Sequence, residues 1–212
     1  MLTADALLLD LDGTLVDSSE SIVRSWLRWA AEFDVDPARL ADSHGRTSAD
    51  IVADLVPDTE VEHALARIDE LEIDDAGTVR AMPGAAEFLA ALPPSRWAIV
   101  TSGNARLARA RIEAAALPGP KVLVTADDVT RGKPDPEPFL LGATRLDVDP
   151  RGCVVVEDAP SGIAAARAAG MDVIAVTSTY PRERLDADLH VSSPAGLEVD
   201  GPGPVRLRRT RP

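Results

Sequence analysis

Short, nearly continuous apolar runs recur along the chain at residues 6–9, 97–100, 122–125, 154–156 and 173–176. Each has the length of a strand and lacks polar alternation, so both of its faces are expected to be covered. The stretches between them are helix-length and rich in Ala, Leu, Glu and Arg: residues 85–92, 105–115, 138–145 and 161–169, the last followed by Gly170 as a C-terminal cap. Strands alternating with helices in this way predict an α/β fold, a doubly wound parallel sheet with helices on both sides.

Residues 18–79 break the alternation, offering helical periodicity without a convincing strand. Helices are predicted there over residues 21–33, 48–55 and 61–71, and Trp26 and Trp29 lie three apart on one face of the first, as core residues would. The segment reads as an inserted helical domain, and Met82-Pro83-Gly84 marks the return to the main one. The expected division is a core of residues 1–17 and 80–212 and an insert of residues 18–79. At the C-terminus the Gly/Pro-rich stretch Gly201 to Pro204 is expected to loosen the chain, and Arg206-Leu207-Arg208-Arg209-Thr210-Arg211-Pro212 reads as a solvated basic end.

Composition narrows the partners. A chain of 212 residues can bury a full core, and its formal net charge of -13 opposes a nucleic-acid partner, because phosphate backbones reward clustered Lys and Arg. The single cysteine, Cys153, excludes an internal disulfide framework and reads as a small buried residue opening a strand. No apolar run is long enough to span a bilayer, the N-terminus carries acids rather than a basic flank, and a cytoplasmic location is expected.

In an open α/β sheet, ligands sit beyond the carboxyl ends of the strands, and the residues after each apolar run carry the chemistry here. Asp10-Leu11-Asp12-Gly13-Thr14 follows the first run. Alternation along a strand would put Asp10 and Asp12 on one side, where two like charges require a cation, a shared proton, or both; an ordinary polar turn is the plain alternative. Thr101-Ser102-Gly103-Asn104 pairs hydroxyls with a helix start, which suits either an anion or simple capping. Lys133 lies in Gly132-Lys133-Pro134, a single positioned cation on a stiffened loop. Glu157-Asp158 supplies a second acidic pair, so that hard oxygens arrive from two strands, as a divalent ion such as Mg²⁺ beside a phosphate requires.

These four stretches, in this order, resemble the motifs of the haloacid dehalogenase superfamily of aspartyl-phosphate hydrolases, and the resemblance covers nearly the whole chain. It implies a Rossmann-like core with a helical cap, inserted between the first two motifs, that covers the site and selects the substrate. It further implies Asp10 as nucleophile, Asp12 as acid and base, and Mg²⁺ held by Asp10, Glu157, Asp158 and the backbone carbonyl of Asp12. Thr101, Ser102, Gly103 and Lys133 would hold the phosphoryl oxygens. Ser43-His44-Gly45-Arg46-Thr47 and the loop through Pro138 resemble the branch of glycerol-phosphate and 2-deoxyglucose-6-phosphate phosphatases, which implies small sugar or polyol phosphates as substrates. His44 and Arg46 would then offer donors from the cap, unless Arg46 is paired to a nearby surface acid. A sugar-phosphate mutase shares the implied chemistry, but Thr14 stands where mutase members carry an apolar β-branched residue. A non-catalytic binding module is the alternative of a different class, and the intact acids and Lys133 speak against it. A monomer acting on a small molecule is expected.

Overall fold

The structure, a computed structural model, describes residues 2–40, 46–200 and 205–210. The chain opens with β1 (Leu2–Ala4) and β2 (Ala6–Leu9) and leaves the sheet through β3 (Val16–Asp17). It then runs through helices α1 (Ser19–Glu32), α2 (Ser48–Leu55) and α3 (Val61–Asp75) and returns by β4 (Arg80–Ala81). Helix and strand alternate from there: α4 (Ala85–Ala91), β5 (Trp97–Val100), α5 (Ala105–Ala114), β6 (Leu123–Val124), α6 (Glu137–Arg145), β7 (Cys153–Glu157), α7 (Pro160–Ala168) and β8 (Asp172–Val176). The chain closes with β9 (Leu189–Val191), β10 (Leu197–Asp200) and β11 (Val205–Arg209).

The central sheet has six strands in the order β6-β5-β2-β7-β8-β9, all paired in parallel. β2, β5 and β7, and β8 beyond its first residue, are buried on both faces, which accounts for their unbroken apolar sequences. Leu7, Leu9, Ile99, Val154, Val156 and Ile174 pack into one cluster with Phe88 and Leu89 of α4 and Ile112 of α5. Their neighbours Ala6, Leu8, Ala98, Val100, Val155 and Val173 pack into a second cluster with Phe139 of α6 and Ile163 of α7. Helices therefore cover both sides, as the alternation predicts. β2 lies centrally, with β5 on one side and β7 on the other, and this switch in strand order leaves a crevice beyond its end.

The excursion between β3 and β4 is helical in its described residues, and the two strands pair antiparallel where the chain departs and returns. Its helices build their own apolar cluster around Trp29, which is fully buried and donates its indole N–H to the Ala64 carbonyl of α3 at 2.8 Å. Trp26 meets Trp29 edge to face at 5.3 Å between ring centroids, so this pair is core, as its spacing suggests. Thr47 caps α2 by accepting from the Asp50 amide.

The C-terminus departs from the expectation of a solvated end. β11 lies between β1 and β10 in a separate antiparallel sheet, with Val205 and Leu207 buried while Arg206 stays exposed. The physical reason is alternation: Val205 and Leu207 share one face of the strand while Arg206 between them takes the other. Gly201 to Pro204 and Arg211 lie outside the described residues. β9 was also not anticipated, because a three-residue strand interrupted by His190 lacks an apolar run. Among the described residues no helix is long and apolar enough to cross a membrane.

Candidate active site

The sheet register places the chemistry. Leu9 pairs with Val156 across β2 and β7, and the Asp10 amide donates to the Val156 carbonyl at 3.0 Å, so Asp10 and Glu157 emerge side by side at neighbouring strand ends. Across the other flank of β2, Thr101 leaves β5 with its amide bonded to the Val124 carbonyl at 3.0 Å. The loop before α6 delivers Lys133 into this row from below. Its ammonium is buried and donates to Asp10 Oδ1 at 2.6 Å, Glu157 Oε1 at 2.8 Å and the Val100 carbonyl at 3.1 Å. Burial works against that charge, but Asp10 and Glu157 outweigh it and hold the ammonium above the ordinary lysine range.

Asp10, Glu157 and Asp158 are all buried, and their ligand oxygens lie within 4.8 Å of one another. Burial pushes Asp10 up to about 7 despite the pull of Lys133, and it raises Asp158 as well, with Glu157 and Asp10 adding to the effect. Three carboxylates facing one ammonium leave uncompensated negative charge, and an all-oxygen donor set of this kind fits a hard divalent cation. Glu157 is already engaged on both oxygens, since Oε2 accepts from the Ala159 amide at 2.6 Å. Asp158 is the more open member, touched by the hydroxyls of Thr14, at 3.4 Å, and Thr179. Gly13, at φ 79°, turns the chain here, and a β-carbon on it would overlap the Asp158 carboxylate.

Asp10 and Asp12 border the same cavity, but their carboxylates are held by different partners. β2 ends at Leu9, and Asp12 belongs to the turn through Gly13, so the two side chains find different partners. Asp12 Oδ1 accepts from the Ser18 hydroxyl at 2.7 Å, and Oδ2 meets Arg111 Nη1 at 2.9 Å. Arg111 Nη2 in turn donates to Glu72 Oε1 on α3 at 2.9 Å, and both Arg111 and Glu72 are almost fully buried. Sequence reasoning missed these two. The available signal was a charge on an apolar stripe: Leu107, Ala108, Arg111 and Ile112 form the buried face of α5, and Ala64, Ile68, Leu71 and Glu72 that of α3.

Asp10, Asp12, Thr101, Ser102, Gly103 and Asp158 open onto a cavity of about 320 Å³ roofed by the insert. Thr101 is buried and its hydroxyl accepts from the Gly103 amide at 3.2 Å, while Asn104 caps α5 by accepting from the Leu107 amide at 2.9 Å. Arg46 borders the same cavity, yet its guanidinium is bonded to Asp54 at 2.7 Å, so the surface pairing and the cavity position coexist. His44 lies outside the described residues. From the roof, Ile22, Val23, Trp26 and Leu27 of α1 contribute apolar surface.

Comparison with known proteins places this arrangement. A family model described as haloacid dehalogenase-like hydrolase matches residues 7–176. The chain is 41% identical over 185 residues to hexitol phosphatase A of Escherichia coli (strain K12), an alignment covering 84% of this chain and 86% of that protein. It is 33% identical over 217 residues to glycerol-1-phosphate phosphohydrolase 2 of Saccharomyces cerevisiae, covering 94% and 86% respectively. Among solved structures, a hydrolase from Pseudomonas syringae superposes with a TM-score of 0.83 at 27% identity, covering 90% of this chain and 94% of that one.

Proposed function

The chain belongs to the haloacid dehalogenase-like hydrolases, and on that premise we propose that it is a phosphoric monoester hydrolase, a magnesium-dependent phosphatase of small sugar or polyol phosphates. One observation carries the reading: Lys133 bonds both Asp10 and Glu157, and Asp10, clustered with Glu157 and Asp158, lies at the floor of a cavity sized for a small ester. The names of the relatives, a hexitol phosphatase and a glycerol-1-phosphate phosphohydrolase, support the substrate class.

In this reading a carboxylate oxygen of Asp10 attacks phosphorus and the ester oxygen leaves, giving an acyl phosphate on Asp10. Asp12 donates a proton to that departing oxygen, then removes one from the water that attacks the aspartyl-phosphate, so that Asp10 is regenerated and inorganic phosphate is released. Lys133, the Thr101 hydroxyl and the Ser102 amide offset the charge that spreads over the phosphoryl oxygens in each transition state. Asp10, Glu157 and Asp158, with the Asp12 carbonyl, would hold the divalent ion, whose chemistry there is charge neutralisation of the same oxygens. The helices α1 to α3 act as a cap that excludes water, and Arg46 at the cavity wall is the described cap cation nearest this role.

The test is phosphate release from a panel of glycerol phosphates, hexitol phosphates, deoxyglucose 6-phosphate and β-glucose 1-phosphate, with magnesium and with EDTA, for the wild type and Asp10→Asn. Metal-dependent release that Asp10→Asn abolishes is the expected result. Conversion of glucose 1-phosphate without release would identify a mutase, and inertness towards every ester would leave a binding module.

A further inference from the structure

Arg111 sits outside the four motifs, yet it bonds both the acid and base of the proposed reaction and a buried carboxylate of the cap. Its guanidinium spends Nη1 on Asp12 of the core and Nη2 on Glu72 of α3, both at 2.9 Å. The Arg111 side chain is 3% exposed and that of Glu72 is 4% exposed, so neither bond is a screened surface pair. Among the described residues the Nε of Arg111 is buried without a hydrogen-bond partner, so the bonds of the guanidinium there are those to these two carboxylates.

The second grip on Asp12 comes from the start of the cap itself. Ser18 stands at the N-cap of α1, where a serine ordinarily bonds its own helix, but it makes no such bond and donates its hydroxyl to Asp12 Oδ1 instead. Both Asp12 oxygens are thereby held, one by the first residue of the cap and the other by a core arginine that the cap clasps through Glu72. Taking the cap away removes Glu72 and leaves the Arg111 guanidinium with Asp12 alone as its charged partner. Taking Arg111 away leaves Asp12 and Glu72 facing each other as like charges, which opposes seating of the cap.

We propose that Arg111 is a positioning residue that makes the orientation of Asp12 and the seating of the cap a single event, through the bridge Asp12–Arg111–Glu72. The inference deepens the phosphatase reading and rests on it for the role of Asp12. Because proton donation matters most when the leaving alcohol is a poor one, the bridge has a kinetic signature that general destabilisation lacks. kcat/KM reports the steps up to departure of the alcohol, and an alkyl ester needs the proton whereas p-nitrophenyl phosphate does not.

The experiment measures kcat/KM with magnesium for glycerol 1-phosphate and p-nitrophenyl phosphate, using wild type, Arg111→Met, Arg111→Lys and Glu72→Gln. Arg111→Met is expected to lose on the order of 10²-fold on the alkyl ester and less than about tenfold on the aryl ester. Arg111→Lys, which keeps the charge but cannot fork, recovers part of the alkyl activity, and Glu72→Gln shifts the ratio in the same direction by a smaller factor. Equal losses on the two esters, or no loss, overturn the positioning role. Amide hydrogen exchange over residues 61–75, measured in parallel, is expected to quicken in Arg111→Met and Arg111→Lys while β2 and β7 stay protected; unchanged exchange in α3 overturns the link to the cap. A wild type that releases phosphate from no ester refutes the phosphatase reading and with it the catalytic half of the proposal, while the exchange result still decides the other half.

Discussion

Gly162, in the first turn of α7, lies directly against the carboxylate of Glu157: a β-carbon at 162 would overlap Glu157 Oε1. That oxygen accepts from Lys133 at 2.8 Å, and its partner Oε2 accepts from the Ala159 amide at 2.6 Å. Gly162→Ala therefore has to displace Glu157 and slacken both bonds, and through Lys133 it disturbs Asp10. Alanine gains up to about 1 kcal/mol of helix propensity, whereas two charge-assisted bonds are worth about 1.5–3 kcal/mol each. A net loss of about 2–4 kcal/mol lowers Tm by roughly 5–15 °C for a chain of this size, together with loss of phosphate release. A melt indistinguishable from wild type would mean that Glu157 turns aside freely and that its contact with Lys133 is dispensable.

Three buried carboxylates against one ammonium predict a protein stabilised by its ion. At a magnesium concentration of 100 times Kd, binding to the folded state alone adds about 2.7 kcal/mol, or roughly 5–10 °C in Tm. Asp158→Asn, which removes the one of the three acids that does not accept a hydrogen bond from Lys133 among the described residues, should cut that shift by more than half, and EDTA should reverse it in the wild type. Thermal melts with and without the metal decide this without any substrate, and identical shifts in wild type and Asp158→Asn would place the ion elsewhere.

Much of this site was legible in the sequence because it sits at strand ends, and the strands announce themselves by being apolar on both faces. Asp10, Thr101, Lys133 and Glu157-Asp158 follow the runs that became β2, β5, β6 and β7, so local pattern and tertiary position coincide. Arg111 and Glu72 lie 39 residues apart on different helices, and only the docking of α3 near α5 makes them partners. Their single local trace is a charge where the stripe calls for an apolar side chain. β11 was missed for a related reason: the charges of Arg206, Arg208 and Arg209 outweigh Val205 and Leu207 in any reading by composition, although alternation is what the sheet uses. Trp29 shows the opposite case, since an aromatic at helical spacing with an indole N–H to satisfy became core with a partner across the insert.

Cys153 opens β7 with its side chain buried, and burial pushes the thiol up to about 11, with Asp5 and Asp149 adding to the effect. At pH 8 the nucleophilic thiolate is scarce and shielded. A disulfide reagent should show no measurable labelling of the native protein and one equivalent after unfolding in urea, consistent with the single cysteine. Rapid labelling of the folded chain would show that the sheet opens readily at the start of β7.

Acid should weaken the fold through a small number of identifiable pairs. Asp128 is held down to about 2, first by its hydrogen bond to Arg145, at 2.6 Å, against the penalty of partial burial, with Thr125 helping. Its ordinary value is about 3.9, so the folded state favours the carboxylate. The stabilisation is therefore present above the unfolded-state value and is lost as pH falls from about 4 through 2. Glu32, held down to about 2 by Arg67 and then Arg28, shares the same window. Asp128→Asn isolates one contribution, because the amide oxygen can still accept from the Thr125 amide while the charge on Arg145 loses its partner. Solvent screening keeps the pair near ~0.5 kcal/mol, which corresponds to roughly 1–2 °C in Tm at neutral pH. Melts of wild type and variant should differ by that amount at pH 7 and converge by pH 2; a gap that persists at pH 2 would mean that Asp128 acts through packing and capping of its turn rather than through its charge.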